Sequence, residues 1–96
     1  METNEIKDTI AEYNPDALFI DGLDGDTEAF NNALIGIGNR CGLTGLAIYD
    51  SQKVIEILME KYEMSYEDAI EWYDYNILGA YVGEYTPLFV DDLREL

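Results

Sequence analysis

The sequence contains no histidine, and Cys41 is its only cysteine. Histidine is the usual general base near neutral pH, so its absence excludes Ser–His and Cys–His nucleophile systems. One cysteine cannot form a disulfide within the chain, which argues against a secreted domain held by disulfides and favours a reducing compartment. The acidic start METNEIKDTI is unlike a signal peptide, and no apolar window approaches the roughly 18 residues of a membrane span. We therefore expect a soluble intracellular protein that is not an enzyme and has no metal or cofactor.

Basic residues are scarce. The chain has 5 lysines and arginines against 21 aspartates and glutamates, which gives a formal net charge of −16. A surface of this charge repels nucleic acid and anionic membranes. We therefore expect no direct nucleic-acid binding and no membrane binding, and we expect a partner that presents a basic surface.

The charges are segregated along the chain. Residues 8–39 carry seven acids and no base, and residues 62–93 carry eight acids and no base, whereas the charges of residues 40–61 sum to zero. Solubility needs only interspersed charges of both signs. The segregation therefore indicates a negative surface with a binding role, and the alternative is that the charge serves solubility alone.

Length and apolar pattern predict one α+β domain over residues 1–96. Apolar residues at helical spacing predict three helices, at 3–13, 51–62 and 65–78. Short apolar runs between turn residues predict strands at 17–20, 46–49 and 87–90. Residues 29–38 fit either a further strand or the end of a short helix, and we expect a short helical turn followed by a strand. Loops are expected at 21–28 and 39–45. The prediction is three helices with a small sheet of three or four strands.

Polar residues mark the ends of the predicted helices. Thr3, the pair Asp50-Ser51 and Ser65 precede the three apolar periods and are the predicted N-caps. Ser65-x-x-Asp68 has the spacing of a capping box, with the shorter aspartate in the usual place of glutamate. Gly79 is the predicted C′ glycine that ends the third helix.

The third predicted helix has a core face and two aromatic residues outside it. The residues that share the core face are Tyr66, Ala69, Ile70, Tyr73 and Ile77. Trp72 and Tyr75 lie off this face. Because partly exposed aromatic side chains are favoured anchors at protein interfaces, we predict that these two residues contact a partner.

A row of acids lies on another face of the same predicted helix. Glu67, Glu71 and Asp74 follow one another at i, i+4 and i+7, and Asp68 lies beside them. Like charges at this spacing destabilise a helix by roughly a few tenths of a kcal/mol per pair. A regular row of anions is what a DNA backbone presents to a basic groove. We therefore predict these four acids as partner-binding residues, and the alternative is a solvated helix face.

Further acids lie in the loop DGLDGDTE, at Asp21, Asp24, Asp26 and Glu28. Clustered carboxylates suit hard cations, but the spacing does not provide the glycine and the glutamate that an EF-hand needs. A turn rich in Asp and Gly accounts for the composition, and weak divalent-cation binding is a further alternative. We predict that these four acids and Glu84 extend the negative binding surface.

Several motifs resemble those of a family of small, functionally uncharacterised proteins from tailed bacteriophages. The matching segments are 47–50 (AIYD), 55–58 (IEIL), 64–69 (MSYEDA) and 79–87 (GAYVGEYTP), with ALFIDG at 17–22 and ALIGIGNRCG at 33–42. The acidic N-terminal helix and the stretch between Gly22 and Ala33 depart from the family pattern. The resemblance implies a phage origin and brings no catalytic or binding residues.

A phage origin directs the functional expectation. Small, very acidic phage proteins often inhibit host defence by covering the nucleic-acid-binding surface of a restriction or CRISPR complex. We therefore expect a non-enzymatic inhibitor of the anti-CRISPR or anti-restriction type, with a DNA-mimicking acidic surface, in the host cytoplasm. The alternative is a structural or adaptor protein that docks one partner or self-associates through exposed aromatics. The oligomeric state stays open.

Overall fold

A computed structural model describes residues 2–80 and 82–95, without the side chains of Thr3 and Glu95. The helices are α1 (Thr3–Tyr13), α2 (Ser51–Lys61) and α3 (Tyr66–Tyr73), and the strands are β1 (Leu34–Arg40), β2 (Leu43–Asp50) and β3 (Leu88–Val90). A π-helix, Asp74–Leu78, continues α3, and short 3₁₀ turns occupy Asn31–Ala33 and Leu93–Glu95. The predicted α+β architecture of three helices and a small sheet is confirmed.

The sheet is mixed and has the strand order β1-β2-β3. β1 and β2 form an antiparallel hairpin, whereas β3 pairs with β2 in parallel, from Ile48↔Leu88 to Asp50↔Val90. The parallel pairing is possible because α2 and α3 carry the chain back between these two strands. Both strands therefore run in the same direction and finish at the same end of the sheet, where α2 begins.

The loop predicted at residues 39–45 is wrong, because residues 39–40 belong to β1, residues 43–45 belong to β2, and only Cys41-Gly42 form the turn of the hairpin. Gly42 has φ +78° in the turn, and Gly45 has φ +84° where the pairing register shifts. Glycine is favoured in this left-handed region because it has no Cβ. Asn14, which ends α1, packs on Gly45 and donates from its side chain to the Thr44 carbonyl at 3.3 Å. The bulge thus fixes the end of α1 on the hairpin.

The strand predicted at residues 17–20 is also wrong. This half-buried segment pairs with no strand in the described part of the chain. Instead, the Ile20 N–H donates to Tyr49 Oη at 3.0 Å, and Lys7 Nζ lies 5.1 Å from the centre of the Phe19 ring. Side-chain contacts therefore hold an apolar run that resembles a buried strand in composition, and the sheet has three strands.

Two tyrosines and a phenylalanine connect the sheet to α3. Tyr49 of β2 is fully buried, and its ring stacks on Phe89 of β3 with centroids 5.6 Å apart. Phe89 meets the ring of Tyr73 edge-on at 5.7 Å. Tyr73 belongs to the buried face of α3, together with Ala69 and Ile77. This aromatic contact sets which side of α3 faces the core and which faces outward.

The helix caps are partly as predicted. Asp50 Oδ1 accepts from the Gln52 N–H at 3.1 Å, and Ser65 Oγ accepts from the Asp68 N–H at 3.1 Å, so both caps are confirmed. Thr3 is not a cap, since it is the first helical residue and Glu2 precedes it without a capping side chain. Gly79 is not left-handed, having φ −77°. A Cβ at Gly79 would lie 2.9 Å from the Asp74 carbonyl oxygen, so close backbone approach explains this glycine.

We expect alkaline pH to destabilise the fold through Tyr49 and Tyr73. Burial raises the pKa of each phenol to about 12, from its ordinary value of 10.0. Because these values are higher in the folded than in the unfolded chain, the stability they contribute is complete below about pH 10 and is lost as the pH rises through about 12. Far-UV ellipticity should therefore fall over the pH range in which the last tyrosines ionise, as followed by their tyrosinate absorbance. Complete ionisation of the tyrosines with native ellipticity would contradict this coupling.

Candidate protein-binding surface

The α3 acidic face comprises Glu67, Asp68, Glu71 and Asp74, and all four side chains are exposed. Ser65 caps the helix, and the apolar stripe through Tyr73 turns into the core, so the acids are left on the outer side. One core prediction is wrong: Tyr66 is 53 % exposed, because it lies in the first turn of α3, beyond the buried part of the stripe. The outer side of α3 is therefore both acidic and aromatic.

Folding accounts for two of these acids and not for the other two. Glu67 and Asp68 lie in the first turn of α3, where the helix dipole favours negative charge by roughly 0.3–1 kcal/mol at low ionic strength. Glu71 and Asp74 lie beyond that turn, in the middle of the continuous helix that α3 and the π-helix form, where the dipole does not favour their charge. Glu71 lies four residues after Glu67 and three before Asp74, and like charges at these spacings cost roughly a few tenths of a kcal/mol per pair. A reason outside the fold is therefore needed for these two acids.

The ion pairs of the described side chains leave the α3 acidic face without a counter-charge. Among the described side chains, ion pairs join Lys53 to Glu56, Lys61 to Asp24 and Asp26, and Arg94 to Asp92, and none reaches α3. A row of exposed carboxylates without counter-charges produces a local negative potential that is greatest at low ionic strength. This face is therefore suited to a partner that brings the missing cations.

A shallow groove of about 460 Å³ runs along the same side of α3. We call it the α3 groove, and its lining residues are Met64, Asp68, Glu71, Trp72, Tyr75 and Asn76. Trp72 is half-buried and packs against the core, whereas Tyr75 is 78 % exposed. Carboxylates beside aromatic rings suit lysine and arginine side chains, because the rings attract cations and cover their apolar stems.

The π-helix Asp74–Leu78 forms one end of this surface. The Gly79 N–H donates to the Asp74 carbonyl at 3.0 Å, five residues back, and Asn76 Nδ2 donates to the Trp72 carbonyl at 3.2 Å. π-helical turns are rare and frequently occur at functional sites. Here the wide turn carries Tyr75 on its outer side, while Ile77 stays buried.

The acidic loop, residues 21–28, is neutralised in part by a base that is distant in sequence. Lys61 Nζ lies 3.3 Å from Asp26 Oδ2 and 3.9 Å from Asp24 Oδ2, and Tyr62 Oη donates to Asp24 Oδ1 at 2.8 Å. The Tyr62 hydrogen bond lowers the pKa of Asp24, and the bond to Asp26 raises the pKa of Lys61. Asp24 and Asp26 therefore tie the loop to the end of α2, although the segment is free of bases along the sequence.

Gly22 makes this attachment possible. A Cβ at this position would overlap Tyr62 Oη and would lie 2.8 Å from Ala29 Cβ. The loop then closes with the Gly22 N–H donating to the Asp26 carbonyl at 2.8 Å. Glycine is therefore a packing requirement here, and the acidic loop lies beside the corner between α2 and α3.

The other predicted binding residues do not line the α3 groove. Asp21 and Glu28 are exposed in the acidic loop, and Glu84 is exposed in the turn before β3, outside the α3 groove. In the described residues, no group of three or more possible ligands could hold a metal ion. The α3 groove thus brings together Asp68, Glu71, Trp72 and Tyr75 as one site.

A second acidic depression, of about 650 Å³, was not predicted from the sequence. It lies where the parallel strands β2 and β3 end, and its lining residues are Asp50, Gln52, Lys53, Glu56, Asp91, Asp92 and Leu93. Ser51 Oγ donates to the Val90 carbonyl at 3.0 Å and is also hydrogen-bonded to the Asp91 side chain. These hydrogen bonds join the ends of the two strands. The Arg94 side chain lowers the pKa of Asp92 to about 2. Because Lys53 and Arg94 partly neutralise this depression, it is less suited than the α3 groove to a cationic partner.

Comparisons with protein-family models, with curated proteins and with solved structures find no match. None of the helices in residues 2–80 and 82–95 has the length and apolar character needed to cross a membrane.

Proposed function

We propose that this protein is a phage-encoded, non-enzymatic inhibitor that acts in the host cytoplasm. It covers the nucleic-acid-binding surface of a host defence complex of the restriction or CRISPR kind. The α3 acidic face takes the place of the nucleic-acid backbone. The observation that carries the proposal is the exposure of Glu71 and Asp74 on the outer side of the helix, where no ion pair of the described side chains reaches them and like-charge repulsion costs stability.

Spacing supports mimicry of a nucleic acid. Neighbouring side chains at i and i+3 or i+4 have Cβ atoms about 5–6 Å apart on a helix. Phosphates follow one another at a comparable separation along a DNA strand, since one charge falls per roughly 3.4 Å of axis on each strand. A basic groove built for phosphates therefore meets carboxylates at a spacing that it can accept.

The aromatic residues of the α3 groove supply what charges alone lack. Exposed ion pairs contribute little net affinity, because desolvation offsets much of the attraction. Trp72 and Tyr75 add apolar area and cation–π contacts at the edge of the acidic face. In this proposal the acids direct association and choose a basic partner, and the aromatics slow its dissociation.

The test is a pull-down from a bacterial lysate with the immobilised protein, at about 0.1 M and about 1 M salt, where the Debye length falls from roughly 10 Å to 3 Å. We expect a nucleic-acid-binding protein to be recovered at the lower salt concentration and lost at the higher one. Recovery of the same partner at both concentrations, with no nucleic-acid-binding activity, would refute mimicry.

The exposure of Tyr75 favours an adaptor protein as the second candidate function. An adaptor would use the α3 groove to dock one protein partner through its aromatic side chains, and the acids would serve solubility. Its affinity would then fall on truncation of Trp72 and would respond little to salt. The salt series of the pull-down separates the two candidates, because only mimicry requires strong salt dependence.

A further inference from the structure

β1 is a free edge of the sheet. It pairs with β2 on one side, and no strand of the described residues lies on its other side. Edge strands are usually protected from pairing by charged side chains, by proline or by a bulge that twists them away. β1 contains no proline and has one charged residue, Arg40. Its pairing with β2 is irregular between Leu34 and Gly36 and between Gly38 and Asn39, but the second irregularity leaves out Gly45 of β2, so residues 36–40 of β1 are themselves consecutive. Ile35 is 49 % exposed at this edge. The edge therefore offers a strand for pairing.

The same hairpin carries no carboxylate before its last residue, Asp50. Residues 29–49 contain no aspartate or glutamate, in a chain that has 21 of them. This stretch includes all of β1 and β2 up to Tyr49. Two molecules of charge −16 repel each other most where their acids face one another. The β1 strand therefore brings no carboxylate of its own into a contact between two copies.

We propose that two copies of this chain associate through antiparallel pairing of their β1 edges, which yields one continuous six-stranded sheet. A two-fold axis at Gly38 pairs residues 36–40 of one copy with residues 40–36 of the other. This register keeps each side chain on the same face as its partner, as pairing requires. It places Arg40 of each copy opposite Gly36, where the space beyond the backbone is empty to 4 Å.

A second copy suits this edge because it presents the same strand, which carries no carboxylate. The contact is isologous, so the apolar Ile37 and the polar Asn39 of one copy face Asn39 and Ile37 of the other. A basic partner finds no acid at the edge and is drawn to the α3 acidic face instead. β3 offers only three residues, Leu88–Val90, at the opposite edge of the sheet.

Salt should strengthen the dimer. Screening weakens the long-range repulsion between two strongly negative molecules, whereas the backbone hydrogen bonds of the pairing are little affected. The proposed partner binding at the α3 acidic face has the opposite dependence and weakens with salt. The two interactions are therefore separable by ionic strength.

Sedimentation velocity over a concentration series tests the dimer. We expect the unmodified chain to reach twice the mass of one copy, at lower concentration in about 1 M than in about 0.1 M salt. Arg40→Glu should raise the dissociation constant about tenfold or more, because it places a carboxylate on each side of the pairing. Lys53→Glu is the control. It makes the same change in net charge at an exposed position of α2 and should leave the dissociation constant unchanged.

Asn39→Asp is the second variant, since the new carboxylate can still accept the Gly45 N–H that Asn39 Oδ1 accepts at 3.2 Å. It should also weaken the dimer while native ellipticity is retained. The proposal is overturned if the chain stays monomeric at every protein and salt concentration. It is also overturned if the β1 edge pairs only with a foreign strand. An equal response of the dimer to Arg40→Glu and Lys53→Glu overturns it as well.

Discussion

Replacing both Glu71 and Asp74 by lysine is expected to abolish binding to the basic partner and to leave the fold at least as stable. On the partner side, the change turns two attractions into like-charge contacts, which cost about 3 kcal/mol or more, a loss of roughly a hundredfold in affinity. On the stability side, it replaces the repulsion between Glu67 and Glu71 by a Glu–Lys pair at i, i+4, which stabilises a helix by roughly a few tenths of a kcal/mol. Isothermal titration with the recovered partner and urea unfolding measure the two effects.

The matched control reverses two acids that lie away from α3. Glu12 and Asp16 are exposed and take part in none of the ion pairs among the described residues. Glu12→Lys with Asp16→Lys changes the net charge by the same amount. We expect this control to reduce affinity only slightly, through the overall field. An equal loss in both double variants would show that net charge, and not the α3 acidic face, determines binding.

Truncation of Tyr49 to alanine is expected to destabilise the protein by about 3–5 kcal/mol. The side chain is fully buried, its ring stacks on Phe89, and its Oη accepts the Ile20 N–H. A domain of this size has roughly 5–15 kcal/mol of stability in total. The high net charge reduces that margin further through self-repulsion. Urea unfolding followed by circular dichroism should therefore show Tyr49→Ala largely unfolded at 37 °C.

Tyr49→Phe is the control for this prediction. It keeps the ring and its stacking on Phe89 and removes only the acceptor of the Ile20 N–H, so a loss of about 1–2 kcal/mol is expected. A loss from Tyr49→Ala no larger than that from Tyr49→Phe would contradict the aromatic contact as the link between the sheet and the helices.

The sequence predicts the helices well, because each carries an apolar period and two of them carry a capping side chain. Asp50 marks the start of α2 and Ser65 marks the start of α3, each through a local hydrogen bond that depends on nearby residues only. The same holds for the outer side of α3, since helical spacing alone separates Glu71 and Asp74 from the core stripe. Local rules suffice for these features.

The sheet was harder to predict, because its features depend on pairing. The residues on either side of the hairpin turn Cys41-Gly42 have the composition of a loop. They belong to strands because Asn39 and Thr44 pair across the hairpin, which the composition does not indicate. Residues 17–20 have the composition of a strand and find no strand to pair with. Composition indicates which segments can be extended, and long-range contacts decide which of them enter a sheet.

The acidic surface was predicted only in part for the same reason. Charge counted along the chain treats residues 21–28 and α3 as equivalent acidic segments. In space, Lys61 and Tyr62 reach the acidic loop from the end of α2, whereas no ion pair of the described side chains reaches α3. The α3 acidic face therefore keeps the unneutralised character that the sequence assigned to both segments, and the acidic loop keeps it only in part. Segregation along the chain is therefore a guide to a charged surface, and ion pairs between distant residues determine where that surface lies.

Displacement by DNA is the measurement that tests the central claim most directly. The partner recovered at low salt is held on the immobilised protein and is challenged with double-stranded DNA at constant ionic strength. If the α3 acidic face occupies the nucleic-acid-binding surface, DNA should release the partner in proportion to its own affinity, and the Glu71→Lys, Asp74→Lys variant should retain no partner to release. A partner that binds DNA and this protein at the same time would contradict mimicry.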